Sequence, residues 1–313
     1  MIDILTPINI GGPYVLGKNT VNVLNKKGIK ARQIKTKIKL LAYPLYTKAD
    51  LVHSIDIPIA HHIWKKPLIL NIQGEYPLQK NIWQRFYPKA IKKADIVTVP
   101  SKFIKERLKI KEAEVIPNAI ISKDFNHIKY KDNNEINIVT LTKFAFLDKS
   151  LGVLNIIEPL KKAAKETDKK INYTIIGGGK FLDHIKTKIK PSFNIKFIGY
   201  HDNPKKILEK SDLFLYYSNR DTFAIAVIEA MASGLPVITN NYGPTHEIIK
   251  TKEDGYIAEN QEEYTNHLIN LINSVKLRKK IGQKAIQKVK ETFDINKTTE
   301  RYIEIYKSLI HNL

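Results

Sequence analysis

Two carboxylates eight positions apart, Asp221 and Glu229, stand in the stretch Ser218 to Thr239, S-N-R-D-T-F-A-I-A-V-I-E-A-M-A-S-G-L-P-V-I-T. Carboxylates at a fixed spacing bind hydroxyls or cations, and what these two do depends on the elements that hold them. Between them runs the apolar segment Phe223 to Ile228, followed by Ala230-Met231-Ala232-Ser233-Gly234. Ala, Met and Glu favour a helix, and Gly234 ends it. Asp212-Leu-Phe-Leu-Tyr-Tyr-Ser upstream and Leu235-Pro-Val-Ile-Thr downstream read as buried strands. The order is therefore strand, loop, helix, strand. Asp221 falls in the loop, and Glu229 falls about two turns inside a helix that is apolar on nearly every side. A carboxylate in that place needs a partner. Either a buried Lys or a backbone amide supplies one, or the side chain points into a cleft and binds a ligand hydroxyl. The helix start, Thr222 to Ile225, would aim free N–H groups at the same place, a ready anion site.

The rest of the chain must supply the elements that position this stretch. Ile2-Asp-Ile-Leu-Thr is a strand ended by Pro7; Gly11-Gly12-Pro13 is a turn, and Thr20 to Lys27 a helix closed by Gly28. That is a half-Rossmann opening. Gln33 to Lys39 is a strand with Lys35, Lys37 and Lys39 on one face, which reads as a lysine-protected sheet edge. Asp50-Leu-Val-His-Ser-Ile, the run from Pro67 to Ile72 and Asp95 to Pro100 are further strands, and His53, at a strand end, reads as structural. Asn81 to Lys93 is an interrupted amphipathic helix carrying Trp83, Phe86 and Tyr87. Ser101 to Lys111 is a second, with Ser101 as N-cap. Both mix basic with aromatic or aliphatic residues, as a membrane-interface helix does, or else pack their apolar faces on the sheet.

A polar linker, Lys131-Asp-Asn-Asn-Glu, opens a second run of strand–helix units. Strands are expected at Ile136 to Thr142, at Ile171 to Ile176 leading into Gly177-Gly178-Gly179, at Asn194 to Tyr200 and at Leu213. Helices are expected at Leu151 to Glu166 and Pro204 to Lys210. Glu262 to Glu291 contains long charged helical stretches, and Ile295 to Ile310 is a last helix with Ile, Tyr and Leu on one side. The alternation argues for two parallel-sheet α/β domains. His61-His62 has no third ligand at a useful spacing, and the glycine run is not the full G-x-G-x-x-G fingerprint. Neither a metal nor a nicotinamide or flavin cofactor is expected.

D-T-F-A-I-A-V-I-E-A-M-A-S-G-L-P-V, residues 221–237, resembles E-x-F-G-x-x-x-x-E-A-x-A-x-G-x-P-V. That is the signature of retaining glycosyltransferases with the GT-B fold, the large family-4-like group containing bacterial mannosyl- and glucosyltransferases. Asp221 stands where Glu is usual and Ala224 where Gly is usual. The resemblance covers roughly residues 1–300 and is specific only in this segment. It implies two Rossmann-like parallel-sheet domains facing across a cleft: residues 1–128 for the acceptor, 129–294 for the nucleotide-sugar, and a terminal helix, 295–313, crossing back to the first domain. Glu114-Val-Ile-Pro-Asn-Ala-Ile resembles the I-P-N-G segment that ends the first domain, with Ala119 in place of Gly.

The resemblance also implies roles. Lys143 and Lys149, followed by Ser150, stand where the family carries Arg-x5-Lys followed by Gly, so both would grip the donor diphosphate, without the guanidinium fork. Asp221 would bind a hydroxyl of the donor sugar, Glu229 the ribose, and the backbone of Thr222, Phe223, Ala224 and Ile225 the diphosphate. Gly12 would lie beneath the diphosphate and sugar, and Tyr200 at the nucleotide base. Gln73 takes the place of a family His in the cleft; it can hold a hydroxyl but cannot accept a proton at neutral pH. Glu75 is a carboxylate close by. No D-x-D triplet occurs, so metal-independent transfer is expected, from a nucleotide-diphosphate-sugar to the hydroxyl of a glycan or lipid-linked acceptor.

Charge narrows the partners. The chain of 313 residues carries 52 Lys/Arg against 31 Asp/Glu, a net +21, and 46 of the basic residues are Lys. Residues 1–130 hold 23 basic against 9 acidic side chains, the remainder 29 against 22. A Lys- and Ile-rich composition reflects base composition in part; the asymmetry points to an anionic partner for the first half, such as a membrane surface. There is no cysteine, no signal-peptide pattern at the start, and no apolar run near the roughly 20 residues of a membrane span. The expectation is a cytoplasmic protein, peripheral on the inner face of the membrane. A nucleic-acid-binding protein would account for the charge but not for Asp221 and Glu229, and no such motif is present. A catalytically inactive GT-B-like partner subunit is the other reading, kept open by the departures at 73, 143, 221 and 224.

Overall fold

A computed structural model describes residues 1–7, 11–35, 48–58, 67–79, 82–190 and 193–310. Lys37, Lys39, His61, His62 and the side chain of Trp83 lie outside the described residues. The chain forms two compact units, Met1–Ile121 with Thr292–Leu313, and Ser122–Glu291. The first boundary falls earlier than the expected 128/129. The Ile128 amide donates to the Ser233 carbonyl at 2.9 Å and the Tyr130 hydroxyl to the Gly234 carbonyl at 2.7 Å, which ties this segment into the second unit.

The first unit runs β1 (Ile2–Thr6), α1 (Gly12–Lys26), β2 (Ala31–Lys35), β3 (Leu51–Ile55), β4 (Leu68–Asn71), α2 (Tyr87–Lys93), β5 (Ile96–Val99), α3 (Lys102–Arg107) and β6 (Glu114–Val115). Its sheet is parallel, in the order β2-β1-β3-β4-β5-β6. Lys35 is exposed on the edge strand, as expected of edge protection. α1 begins at Gly12, not near Thr20. Pro13 needs no N–H partner in a first helical turn, so the glycine-proline run opens the helix instead of forming a turn before it. His53 lies in the middle of β3, not at its end. Its Nδ1 is 2.8 Å from the Tyr306 hydroxyl, and burial pushes its pKa down to about 3, so it is a neutral core residue.

α2 buries Tyr87 and Ala90, and α3, capped by the Ser101 hydroxyl on the Ile104 amide at 3.2 Å, buries Ile104. Both helices therefore pack these residues on the sheet and leave Lys89, Lys92 and Lys93 exposed. α3 stops short of the expected Lys111 where Lys109 turns into the left-handed region at φ 56°.

The second unit runs β7 (Glu135–Leu141), α4 (Leu147–Ala163), β8 (Lys170–Ile176), α5 (Leu182–Lys188), β9 (Asn194–Gly199), α6 (Lys205–Leu208), β10 (Leu213–Tyr216), α7 (Ile225–Ala232), β11 (Val237–Asn240), α8 (Thr245–Ile248), β12 (Tyr256–Ala258), α9 (Gln261–Asn273) and α10 (Val275–Thr292). Its sheet is also parallel, in the order β12-β11-β10-β7-β8-β9. Arg278 is buried and closes α9, donating to the carbonyls of Leu271 and Ile272 at 2.8 and 2.9 Å and to that of Lys131 at 2.9 Å. α11 (Ile295–Leu309) buries Ile295, Tyr302 and Tyr306 in the core of the first unit. No helix among the described residues is long and apolar enough to cross a membrane.

Candidate active site

The chain lays down β7, β8 and β9 in one direction, then returns to place β10 on the other side of β7. Strand order reverses between β7 and β10, and parallel α/β sheets bind ligands outside the carboxyl ends of the strands at such a reversal. Both expected charge-bearing segments leave the sheet there. β7 exits into Thr142 to Phe146 and α4; β10 exits into Tyr217 to Ala224 and α7.

Close packing brings the exits together. Gly152 in α4 lies against the backbone of the β10 exit, where an added Cβ would come within 1.9 Å of the Tyr217 carbonyl oxygen. One turn earlier, Lys149 reaches Asp221: its Nζ is 2.9 Å from Oδ2, with side chains only 20% and 12% exposed. Lys149 therefore sits in the first turn of α4, which begins at Leu147, not in a loop before Leu151. The Tyr216 hydroxyl donates to the same oxygen of Asp221. Asp221 Oδ1 accepts from the amides of Thr222 at 2.9 Å and Phe223 at 3.3 Å. Arg220 stacks on Phe146 at 4.4 Å and pairs with Asp148 at 3.8 Å, a further tie between the two exits.

Burial alone would push the Asp221 carboxyl up. Lys149, the Tyr216 hydroxyl and the Phe223 amide outweigh it and hold the group below the usual carboxylate range. For Lys149, burial works against the charge, and Tyr216 and Asp221 more than restore it. The arrangement is a buried ion pair at the mouth of the strand reversal.

This corrects the anion site expected at the helix start. The amides of Thr222 and Phe223 already serve Asp221, and that of Ile225 donates to the Phe223 carbonyl at 2.9 Å. The chain's own carboxylate occupies the place a ligand anion was expected to take. Ala224 precedes α7 at φ −76°, ψ 76°, which any L-residue adopts, so the loss of Gly there strains nothing. Glu229 lies one turn inside α7, not two, because the helix starts only at Ile225. Of the two readings of Glu229, pairing is not realised: among the described residues no amide or cation bonds its carboxylate. Burial pushes its pKa up to about 7, opposed only by Lys205.

The remaining expected residues lie on other segments. Lys143, just beyond β7, is exposed and makes no ion pair among the described residues. Tyr200 follows β9 and is 67% exposed. The glycine run after β8 packs tightly on the β7 exit: at Gly177, φ 143°, a Cβ would lie 1.7 Å from the Thr142 carbonyl oxygen, and at Gly179, φ 146°, 2.3 Å from the Phe144 carbonyl carbon. In the first unit, Gly12 is the first residue of α1. Gln73 is buried, and both ends of its carboxamide are engaged: Nε2 donates to Asn71 Oδ1, and Oε1 accepts from Asn118 Nδ2 at 2.5 Å. It is held by its neighbours and is not poised for a ligand hydroxyl. Glu75 pairs with Arg107 at 2.8 Å.

Sequence reasoning missed Tyr216 and Arg220, and two hydroxyls, Thr142 just after β7 and Thr245 at the start of α8, whose Oγ1 atoms are buried with no hydrogen-bond partner among the described residues. A tyrosine closing a strand just before the acidic loop was the available signal for the first.

Residues 127–288 match the family model described as glycosyl transferases group 1. N-acetyl-α-D-glucosaminyl L-malate synthase of Bacillus anthracis is 27% identical over 165 residues, 51% of this chain and 43% of that protein. The chain spans about half the length of the curated relatives it matches. Among solved structures, sucrose-phosphate synthase of Thermosynechococcus elongatus superimposes with a TM-score of 0.80 at 13% identity, covering 98% of each chain. Anabaena HepE in complex with UDP does so with a TM-score of 0.78 at 15% identity, covering 98% of this chain and 100% of that one. At these identities the solved structures establish the fold, which is the GT-B one expected from the sequence.

Proposed function

The chain belongs to the glycosyl transferases group 1 family, and from that premise we propose that it moves a sugar from a nucleotide-diphosphate-sugar to an acceptor hydroxyl, with retention at the anomeric carbon. The observation that carries this reading is the meeting of Lys149 and Asp221 outside β7 and β10, inside the matched segment. In the resting chain Asp221 stands in for an anion. A donor diphosphate would replace it on Lys149, and exposed Lys143 would turn onto the same group. Two lysines then balance the charge that grows on the leaving diphosphate, usually the largest task in such a site. This reading needs no metal for that purpose.

Released from Lys149, Asp221 would take a hydroxyl of the donor sugar. Glu229, whose carboxylate has no partner among the described residues, would hold the ribose, and exposed Tyr200 would meet the base. No side chain at the site takes the part of a covalent nucleophile. The reading is therefore a same-face attack. The bond from the anomeric carbon to the leaving phosphate oxygen breaks, the acceptor oxygen bonds to that carbon, and the leaving oxygen takes the acceptor's proton. A glycan or a lipid-linked glycan fits as acceptor.

The test is a thermal-shift screen with UDP, GDP, ADP and their sugars. UDP goes first because the Anabaena relative is described with it, and N-acetylglucosamine leads among the sugars because the Bacillus relative's name carries it. One nucleotide should raise the melting temperature, since a ligand of the folded state stabilises it by mass action, and Glu229→Ala should abolish the shift. No shift with any nucleotide would overturn the reading. A shift without sugar release or transfer would leave a nucleotide-binding but inactive member of the family.

A further inference from the structure

α10 presents a face that the chemistry above does not use. Residues 275–290 hold six lysines and Arg278 and no acidic side chain. The inner face of the helix is fixed. Arg278, Ile281, Gly282, Ala285 and Val289 are buried, and a Cβ at Gly282 would come within 2.0 Å of the Tyr130 hydroxyl and 2.1 Å of the Gly234 carbonyl oxygen. The helix therefore lies flat on its unit and cannot roll. Lys276, Lys279, Lys280, Gln283, Lys284 and Gln287 face outward and together line one open groove of about 460 Å³. Their spacing is that of a single helix face.

Composition makes lysine common in this chain, but elsewhere the exposed helices interleave acids with it. Lys161 pairs with Glu158 in α4, Lys186 with Asp183 in α5 and Lys297 with Glu300 in α11, each three positions apart. None of the four groove lysines makes an ion pair among the described residues. Their arrangement works against the helix twice. Lys276 stands in the first turn, with Lys279 and Lys280 just beyond it, at the positive end of the helix dipole, and no acid offsets them there. Lys276 with Lys280, Lys280 with Lys284, and Lys284 with Lys288 are like charges four positions apart, which repel. Two unfavourable terms on a face that packs against nothing call for a ligand of opposite charge.

We propose that this face of α10 is a docking track for a linear phosphate polymer, with successive phosphates meeting successive lysines. From Lys276 to Lys284 the track runs about 12 Å along the helix, and lysines four positions apart stand about 6 Å from each other. The positive charge thus forms a line, and a chain fits a line. A lipid surface fits it less well. α10 has no exposed large apolar residue to enter a membrane interface. Carboxylates also bound the track: Glu291 accepts from Gln287 Nε2 at 2.9 Å at one end, and exposed Asp132 lies close enough to Arg278 to feel its charge. No aromatic side chain lines the groove, so nucleic-acid bases have nothing to stack on. A second copy of the chain, itself at +21, would be repelled. Ammonium groups meet phosphate oxygens as point charges, without the planar fork that suits carboxylates. The track shares no residue with the transfer reading and does not depend on it.

The experiment is fluorescence anisotropy of end-labelled, long-chain polyphosphate with the full protein. Affinity should fall about 50-fold between roughly 50 and 200 mM salt, as expected when four cations displace counterions from a flexible chain. The combined Lys276→Gln, Lys279→Gln, Lys280→Gln and Lys284→Gln variant keeps the helix preference of lysine. It should bind about tenfold more weakly or worse and lose most of the salt dependence. If it does not fold, Lys279→Gln with Lys284→Gln takes its place and should lose about half of the salt dependence. A control that removes the same charge from the first unit, Lys89→Gln, Lys92→Gln, Lys93→Gln and Lys102→Gln, should bind within about twofold of wild type, since distant charges are screened. Unaltered binding in the α10 variant, or equal loss in both variants, overturns the proposal. So does tighter α10-dependent binding to anionic lipid vesicles or to DNA than to polyphosphate at the same salt, which would make the partner a membrane or a nucleic acid. A nucleotide thermal shift that disappears in the α10 variant would put these lysines in the donor site and also overturn it; an unchanged shift keeps the track separate.

Discussion

The strand ends of the two units use their polar groups in opposite ways. In the second unit, a lysine and an aspartate neutralise each other at 2.9 Å, and a hydroxyl and two amides complete the carboxylate. In the first, neutral carboxamides pass one hydrogen bond to the next, and Asn118 Oδ1 and the nearby Asp56 Oδ2 are buried with no donor among the described residues. An ion pair suits a ligand that brings charge, since an incoming anion re-partners the lysine without leaving it bare. The same division appears within the second unit. Asp221 is held below the carboxylate range and Glu229 is pushed up to about 7, so the two acids of one motif stand in opposite electrostatic settings.

The largest test of this contrast is Lys149→Ala against Lys143→Ala. Removing Lys149 leaves Asp221 a buried charge without its counter-ion, which should cost about 3–5 kcal/mol in urea unfolding. Removing exposed Lys143 should change stability by no more than about 0.5 kcal/mol. Both should weaken nucleotide binding. Equal stabilities for the two variants would mean that the pair carries no structural weight and that the contrast between the units is one of ligand chemistry alone.

Glu229→Gln is the next test. The native carboxyl, at about 7, lies above its usual 4.5, so the folded state binds the proton more tightly than the unfolded chain. The stability this gives is complete below pH 4.5 and is lost as pH rises through 7. The wild-type chain should therefore lose about 2 kcal/mol from this group between pH 5 and 8, and Glu229→Gln should flatten that part of the melting-temperature profile. An unchanged profile would mean that the carboxylate has a partner after all and does not differ from Asp221.

The sequence carried the contrast unevenly. The spacing of Asp221 and Glu229, the apolar strand runs and the glycine after α7 are local, and they place the motif on a loop and helix directly. The Lys149–Asp221 pair is not local. The two residues lie 72 positions apart and meet only because β10 returns to the side of β7 and because Gly152 admits the β10 exit, neither of which a linear pattern expresses. The occupied anion site follows from the same fact. Gln73 was legible as a departure from the family pattern. Its engagement was not, since Asn118 lies 45 residues further on. Asp56 went unread because an Asp after a strand has the sequence of an ordinary turn, and only the burial of Oδ2 sets it apart. Where helices began elsewhere than expected, as at Gly12 and Leu147, the local signals were weak: Pro13 serves a turn or a first helical turn equally well, and α4 starts without a capping side chain.

The smallest effect, and the one that separates two accounts of the charged site, is expected from Asp221→Asn. The carboxamide keeps an oxygen for the Thr222 and Phe223 amides and loses the charge opposite Lys149 together with the acceptor of the Tyr216 hydroxyl. In the free variant Lys149 is then a buried cation with no counter-ion, and that penalty disappears when a diphosphate arrives. Nucleotide affinity should rise about tenfold, equivalent to about 1.4 kcal/mol, while sugar transfer falls because the sugar hydroxyl has lost its carboxylate. Calorimetric titration with UDP, GDP and ADP on both chains reads this directly. Were Asp221 instead a direct ligand of the nucleotide, the same substitution would weaken binding, so the sign alone decides whether the chain fills its own anion site or shares it.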